Sequence, residues 1–252
     1  MGKIITAVIA TAVCVCLCSA CAYNSADKEM QELIGSVVSE TSVPYTDYDK
    51  DDLGTLDKYI TLTCEGLTLD VPEGLHNDSD HKSEHDTIND LRRRTYFSGE
   101  DHKDSEYVVI FQEPCEIPFD DTVDDIKKKH GKAYDRFLGK LGLSEINDHY
   151  DFCDVLYSLE KIDVNKLSKK EKSVYNEFAV FRQILASSEN KHTYRFKKDG
   201  FRGFVYDWSE DKVSFIVEIS SDKEPNNMHS VIISAPDTES AYKIINSIRM
   251  DE

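Results

Sequence analysis

The sequence predicts an α+β protein with an antiparallel sheet sandwiched by helices, in the order ββββ-ααα-ββββ-α, after an N-terminal signal segment and a tether. Three observations lead to this prediction. Apolar residues alternate along several short segments, as in strands, whereas between about residues 121 and 190 they recur at helical spacing. The hydrophobic share of 40% is large enough to bury a core. We therefore expect a single α+β domain over residues 57–252, with an enlarged helical block at about 121–190.

Four strands are predicted in the first half of the sheet. Ile60 to Cys64 and Leu67 to Val71 alternate between apolar and polar residues, and Glu65-Gly66 between them predicts a hairpin turn. Arg94 to Ser98 and Glu106 to Gln112 predict two further strands. The last of these is apolar on both faces, so we expect it to lie inside a sheet that is covered on both sides.

Three helices are predicted next. Asp120 or Asp121 caps the first, which continues to Leu141, and the second contains Phe152 to Leu159. The third begins at a capping box, Ser168-x-x-Glu171. Apolar side chains at helical spacing give each helix one side that faces the core.

Four strands and a closing helix complete the predicted domain. The strands are Thr193 to Lys197, Arg202 to Trp208, Val213 to Ile219 and Ser230 to Ser234. Asp237 is placed to cap a helix from Thr238 to Ile248, whose isoleucines share one face.

The N-terminus has the pattern of an export signal. Lys3 precedes a largely apolar, uncharged run from Ile4 to Cys18. This run is shorter than the roughly 20 residues that a permanent membrane helix needs. Four of the seven cysteines lie between Cys14 and Cys21. Because an apolar run offers no scaffold that closes around an ion, we do not interpret them as a zinc site.

Ser19-Ala20-Cys21 resembles the end of a bacterial lipobox, in which small residues precede a cysteine that becomes acylated. The resemblance implies a signal peptide at 1–20, lipidation of Cys21 and a membrane anchor on the extracytoplasmic face. Cys18 occupies the position where leucine is usual, because Leu17 lies one residue too early. The alternative is cleavage after Ala22, which would release a secreted, soluble protein.

Residues 21–56 are predicted to form a flexible tether, since they are polar and contain few apolar residues. Besides Cys21, the mature chain would keep Cys64, Cys115 and Cys153. We expect Cys64 and Cys153 to be buried thiols, while a disulfide between two of these three cysteines is also compatible with export.

The charge of the chain bears on its partners. Thirty lysine and arginine residues stand against 48 acids, for a formal charge of −18. Nucleic acid requires a basic counter-surface, so this balance argues against a nucleic-acid partner. A protein, glycan or cell-wall partner is compatible with it.

Two segments resemble the PsbP-like family. Leu67 to Leu75, LTLDVPEGL, is similar to that family's strand and following turn, although Leu75 replaces the usual aromatic residue. Ile244 to Ile248 is similar to its closing helix. The resemblance would cover residues 57–252 and implies an α/β/α sandwich that serves as a binding or accessory module, often without catalytic residues.

The loop from His76 to Asp86 is a candidate metal site. His76, His81 and His85 lie among carboxylates, a set of donors that suits Zn, Ni or Mn. The segment contains no apolar residue that would hold such ligands in place, so a solvated loop is the competing interpretation.

Three other patterns have both a functional and a structural interpretation. Asp47, Asp49 and Asp51 imitate the start of a calcium loop, but the glycine and the final glutamate are missing. The basic Arg92 to Arg94 would bind an anionic lipid headgroup or polymer, or would pair with nearby acids. Trp208, together with Phe204 and Tyr206, would form an aromatic platform for sugar binding or would be part of the core.

The sequence contains none of the G-x-S-x-G, H-E-x-x-H or P-loop motifs, so it identifies no catalytic residue and no cofactor. The leading hypothesis is a membrane-anchored surface lipoprotein with a non-catalytic binding or accessory domain. The alternatives are an exported hydrolase whose site is assembled from distant segments, and binding of a divalent cation by the His76–Asp86 loop.

Overall fold

A computed structural model describes residues 43–77, 93–100, 104–116, 120–185, 190–210 and 212–250. The protein is of mixed α+β class, which confirms the predicted class. The signal segment, Cys21 and the first part of the tether lie outside the described residues.

The strands, in chain order, are β1 Tyr45–Asp47, β2 Ile60–Cys64, β3 Leu67–Val71, β4 His76–Asn77, β5 Arg93–Phe97, β6 Val108–Glu116, β7 His192–Lys198, β8 Phe201–Asp207, β9 Val213–Ser221, β10 Asn227–Ala235 and β11 Arg249–Met250. Eight of them form one sheet in the order β1-β7-β8-β9-β10-β6-β5-β4, and three form a second sheet in the order β11-β3-β2. The pair β1 and β7 is parallel, and the other described pairs are antiparallel.

The α-helices are α1 Asp120–His130, α2 Lys132–Lys140, α3 His149–Ser158, α4 Lys169–Leu185 and α5 Thr238–Asn246. The prediction of one helix from Asp120 to Leu141 is wrong, because the helix is interrupted at Gly131. That residue has a φ of 49°, a left-handed conformation that interrupts helical hydrogen bonding. The capping box is confirmed: the Ser168 amide donates to Glu171 Oε2 at 2.8 Å.

The chain divides into two compact units, whereas the sequence predicts one domain. Residues 124–145 and 155–188 form a helical unit, which falls inside the predicted helical block. Residues 43–123, 146–154 and 189–252 form a sheet unit.

The helical unit has its own packing centre. The Phe137 ring of α2 stacks on the Phe178 ring of α4, with ring centroids 5.7 Å apart. Arg182 is fully buried in this unit and donates hydrogen bonds to the Leu156 carbonyl oxygen and to Glu160. Aromatic packing and a paired buried cation therefore hold these helices together.

The sheet unit has one hydrophobic core. It combines side chains of the β2–β3 hairpin, of one face of the large sheet and of α5. The predicted hairpin is confirmed, with Ile60 opposite Val71 and Cys64 opposite Leu67. Its turn is tight because Glu65 and Gly66 both take positive φ values, 50° and 82°.

The tether predicted over residues 21–56 extends too far, because residues from 43 onward belong to the sheet unit. Tyr45–Asp47 pairs with β7, and the Tyr48 hydroxyl donates to Asn246 Oδ1 at 2.8 Å. Asn246 in turn donates to the carbonyl oxygens of Lys50 and Gly54. A polar segment is thus ordered by hydrogen bonds to a helix nearly 200 residues away, which its own composition does not reveal.

Candidate functional site

The predicted metal ligands are only partly within the described residues. His76 lies in β4, is exposed, and packs edge-on against Phe97 with ring centroids 4.4 Å apart. His81 and His85 lie outside the described residues. Among the residues that the structure describes, no group of three histidine, cysteine or acidic side chains is arranged to hold a metal ion. The site at His76, His81 and His85 therefore stays a prediction.

The three patterns that had both a functional and a structural interpretation have structural contacts in the part of the chain that the structure describes. Asp47 accepts a hydrogen bond from Arg195 Nε, and Arg94 forms an ion pair with Glu65 at 3.5 Å. Phe204 and Tyr206 are buried, and Trp208 is half-buried. The structure therefore favours an ion-pair role for Asp47 and Arg94, and a packing role for the aromatic residues near Trp208.

Residues 146–154 lie on the face of the large sheet that points away from the hydrophobic core. We call this the outer face, and its side chains include Arg195, Arg202, Phe204, Tyr206 and Glu218. The Tyr150 ring stacks on Phe204 with centroids 4.8 Å apart, and the Arg202 guanidinium lies 4.8 Å from the centre of the Tyr150 ring. A stacked aromatic pair and a cation–π contact thus hold the start of α3 on the sheet.

Two arginines of the outer face are each bound by two aspartates, and we call this group the Arg–Asp layer. Arg202 pairs with Asp148 and lies 3.7 Å from Asp151. Arg195 pairs with Asp154 at 3.1 Å and with Asp47. Its members are Arg195, Arg202, Asp47, Asp148, Asp151 and Asp154.

The spacing of three residues between the aspartates of segment 146–154 explains why they face the same side. Asp148 also caps α3, since its Oδ1 accepts from the Asp151 amide at 3.0 Å. Burial raises the pKa of the Asp148 carboxyl, although its contact with Arg202 opposes this. In the Arg–Asp layer each guanidinium forms ion pairs with two carboxylates. These ion pairs hold the start of α3 on the sheet.

A histidine and a cysteine meet beside this layer. His149 Nε2 lies 3.3 Å from Cys153 Sγ, and both side chains are buried. Burial lowers the pKa of His149 to about 4. Burial also raises the pKa of the Cys153 thiol well above its usual value, and the carboxylates of Glu218, Asp154 and Asp148 raise it further.

These pKa directions decide the chemistry of the pair. A cysteine nucleophile requires a thiolate, which a cationic neighbour stabilises. Here both shifts favour the neutral thiol and the neutral imidazole. The prediction that Cys153 and Cys64 are buried thiols is confirmed. Sequence reasoning missed the pair, because the predicted helix is marked only from Phe152 onward, whereas the helix begins at His149 and brings two residues spaced by four together.

Glu218 is the other acid on the outer face with a displaced pKa. Its Oε2 accepts a hydrogen bond from the Tyr206 hydroxyl at 2.7 Å. Burial raises the pKa of Glu218, and the Tyr206 hydrogen bond opposes that rise. Sequence reasoning could not select this glutamate, because nothing in its local sequence distinguishes it from the other acids of the chain.

A small pocket lies on the core side of the sheet unit. It is lined by Tyr48, Phe196, Lys198, Phe201, Ile245 and Ile248. Its volume is about 210 Å³ including space open to solvent. The enclosed part of this space is about 10 Å³, room for about one water molecule, so we do not assign a ligand to it.

Comparison with models of known protein families gives no match, and comparison with curated proteins gives no similar sequence. The two segments that carry the PsbP-like resemblance nevertheless lie side by side. The Asp70 amide of β3 donates to Ser247 Oγ at 2.8 Å, and the Asp70 carboxylate accepts two hydrogen bonds from Arg249. Within the described residues, no helix is both long enough and apolar enough to cross a membrane.

Proposed function

We propose that the protein is a lipid-anchored lipoprotein of the extracytoplasmic membrane face, acylated at Cys21, whose folded part is a non-catalytic binding or accessory module. The observation that carries this proposal is the charge-free apolar run after Lys3 that ends in Ser19-Ala20-Cys21. Several acyl chains on one cysteine make such an anchor stable.

The chemistry of the outer face supports a non-catalytic role. Cys153 has a histidine neighbour, and its environment favours the thiol. Both arginines of the Arg–Asp layer are bound by aspartates. We further propose that the fold is a PsbP-like sandwich, because β3 and α5, which carry that resemblance, pack together in one core.

Metabolic labelling with radioactive palmitate tests the anchor. The protein should incorporate label and fractionate with membranes, and Cys21→Ser should abolish both. Cys16→Ser is the matched control, since it removes another cysteine of the same cluster and should leave labelling unchanged. Equal labelling of the Cys21→Ser variant and the parent protein would refute the proposed anchor.

The competing function is an exported hydrolase, and the contact between His149 and Cys153 is the observation that favours it. A hydrolase with this nucleophile would lose its activity in Cys153→Ala and would react with thiol-directed reagents while folded. The pKa directions given above argue against that outcome. Hydrolysis of a broad ester and peptide panel that disappears in Cys153→Ala would replace our proposal with this one.

A further inference from the structure

The two compact units carry opposite charge. Residues 124–145 and 155–188 of the helical unit contain twelve lysines and arginines against eight acids, a formal charge of +4. The sheet unit, over 43–123, 146–154 and 189–252, contains sixteen against 36, a formal charge of −20. The helical unit is therefore basic, although the net charge of the whole chain is −18.

The basic side chains of the helical unit include a stripe along α2. Lys132, Arg136 and Lys140 are spaced by four residues, so they lie on one side of the helix, and all three are exposed. The opposite side of α2 is buried through Tyr134 and Phe137. Because its apolar side is already packed, α2 presents a cationic side to solvent.

Most acids of the helical unit are already paired with cations. Five of the eight lie within 3.5 Å of a lysine or arginine: Glu145, Glu160, Asp163, Glu171 and Glu177. Several lysines, by contrast, form no ion pair with a residue that the structure describes. They are Lys128, Lys132, Lys140, Lys170 and Lys172. They outnumber the remaining acids of the unit, which are Asp124, Asp125 and Asp135.

We infer that the helical unit docks on an anionic lipid bilayer and acts as a second, electrostatic attachment beside the acyl anchor. This inference rests on the proposed function. The anchor would keep a bilayer within reach, because the chain between Cys21 and Val43 spans no more than about 75 Å even when fully extended. Lysines near an anionic surface each add to binding, and one weak signal is reinforced by a second.

Lysine suits a bilayer better than a more specific partner. Its compact ammonium acts as a point charge and does not need the fixed, bidentate geometry that arginine uses for recognition. Single-stranded nucleic acid would require aromatic side chains interleaved with the cations, and the exposed side of α2 offers Lys132, Asp135, Arg136 and Lys140 instead. A diffuse layer of phosphate headgroups makes no such demand.

Vesicle sedimentation tests the inference without the anchor. The chain without the signal segment and Cys21, residues 22–252, is mixed with vesicles of equal parts phosphatidylglycerol and phosphatidylcholine, and with vesicles of phosphatidylcholine alone. It should bind the anionic vesicles at low ionic strength and be released at about 0.5 M salt, where the Debye length falls to a few ångströms. The combined Lys128→Glu, Lys132→Glu and Lys140→Glu variant should bind about 100-fold more weakly.

A matched variant separates a local surface from net charge. Lys58→Glu, Lys197→Glu and Lys223→Glu make the same change in charge at exposed lysines of the sheet unit, and this variant should bind as the parent does. Unchanged circular dichroism verifies that both variants are folded.

Three results would overturn the inference. They are equal binding to neutral vesicles, an equal loss in both triple variants, and a salt-sensitive oligomer that forms without vesicles and is lost only in the helical-unit variant. The last would assign the basic surface to the acidic sheet unit of a second copy. Because the chain used here has no acyl group, failure of this test leaves the palmitate result standing, and the reverse also holds.

Discussion

Replacement of His149 by glutamine should remove an acid-sensitive element from the sheet unit. The imidazole is buried against Cys153, and burial lowers its pKa from 6.5 to about 4. The unfolded chain therefore takes up a proton near pH 6.5, whereas the folded chain takes it up only near pH 4. Between these values protons favour the unfolded state, so stability is complete above pH 6.5 and is lost as the pH falls toward 4.

The expected size follows from the shift. Each pH unit of displacement corresponds to about 1.4 kcal/mol, so the His149 contribution that is lost between pH 7 and pH 4 is about 3 kcal/mol. His229 also has a pKa lowered by burial, and Glu218 and Asp148 have raised values. These groups are present in both proteins, so their contributions cancel when the variant is compared with the parent.

Urea unfolding followed by the fluorescence of Trp208 is the appropriate assay. Trp208 is the only tryptophan of the chain and lies in the sheet unit, so its signal reports on the unit that contains His149. The difference in unfolding free energy between parent and His149→Gln should change by about 3 kcal/mol from pH 7 to pH 4. The exposed His76→Gln controls for the loss of one imidazole. A difference that stays constant across this range would refute the buried, neutral imidazole.

Three further predictions concern packing, capping and reactivity. Gly203→Ala should destabilise the protein by about 3 kcal/mol or more, since the new methyl would lie 1.9 Å from the Glu218 carbonyl oxygen; a melting temperature equal to the parent's would contradict this. Asp237→Ala should cost about 1 kcal/mol in chemical denaturation, because Asp237 Oδ1 accepts from the Ser240 amide at 2.7 Å at the start of α5; an unchanged denaturation midpoint would exclude a stabilising cap. Cys153 should resist iodoacetamide at pH 8 until urea is added, as measured by peptide mass spectrometry; rapid modification of the folded protein would show an accessible thiolate.

The parts of the fold that sequence predicts are those determined by neighbouring residues. The β2–β3 hairpin follows from alternation around Glu65-Gly66, and the start of α4 follows from Ser168 and Glu171. Gly131 shows the limit of such reasoning: a glycine inside a helical pattern is usually tolerated, and only its left-handed φ in the folded chain divides α1 from α2.

Distant contacts explain most of what sequence reasoning missed. β1 has three residues, and it is recognised as a strand only through its pairing with β7, some 148 residues later. The partners of Arg195 and Arg202 could not be selected either, because the chain offers 48 acids and local spacing favours none of them. The basic helical unit was hidden for a related reason, since its charge becomes visible only after the structure shows which segments cluster together.

The mass of the N-terminal tryptic peptide from membrane-purified protein tests the proposed acylation of Cys21. We expect a peptide that begins at Cys21, ends at Lys28 and carries the added mass of a diacylglyceryl group and an N-acyl chain. An unmodified peptide that begins at Tyr23, recovered from the culture medium, would contradict it.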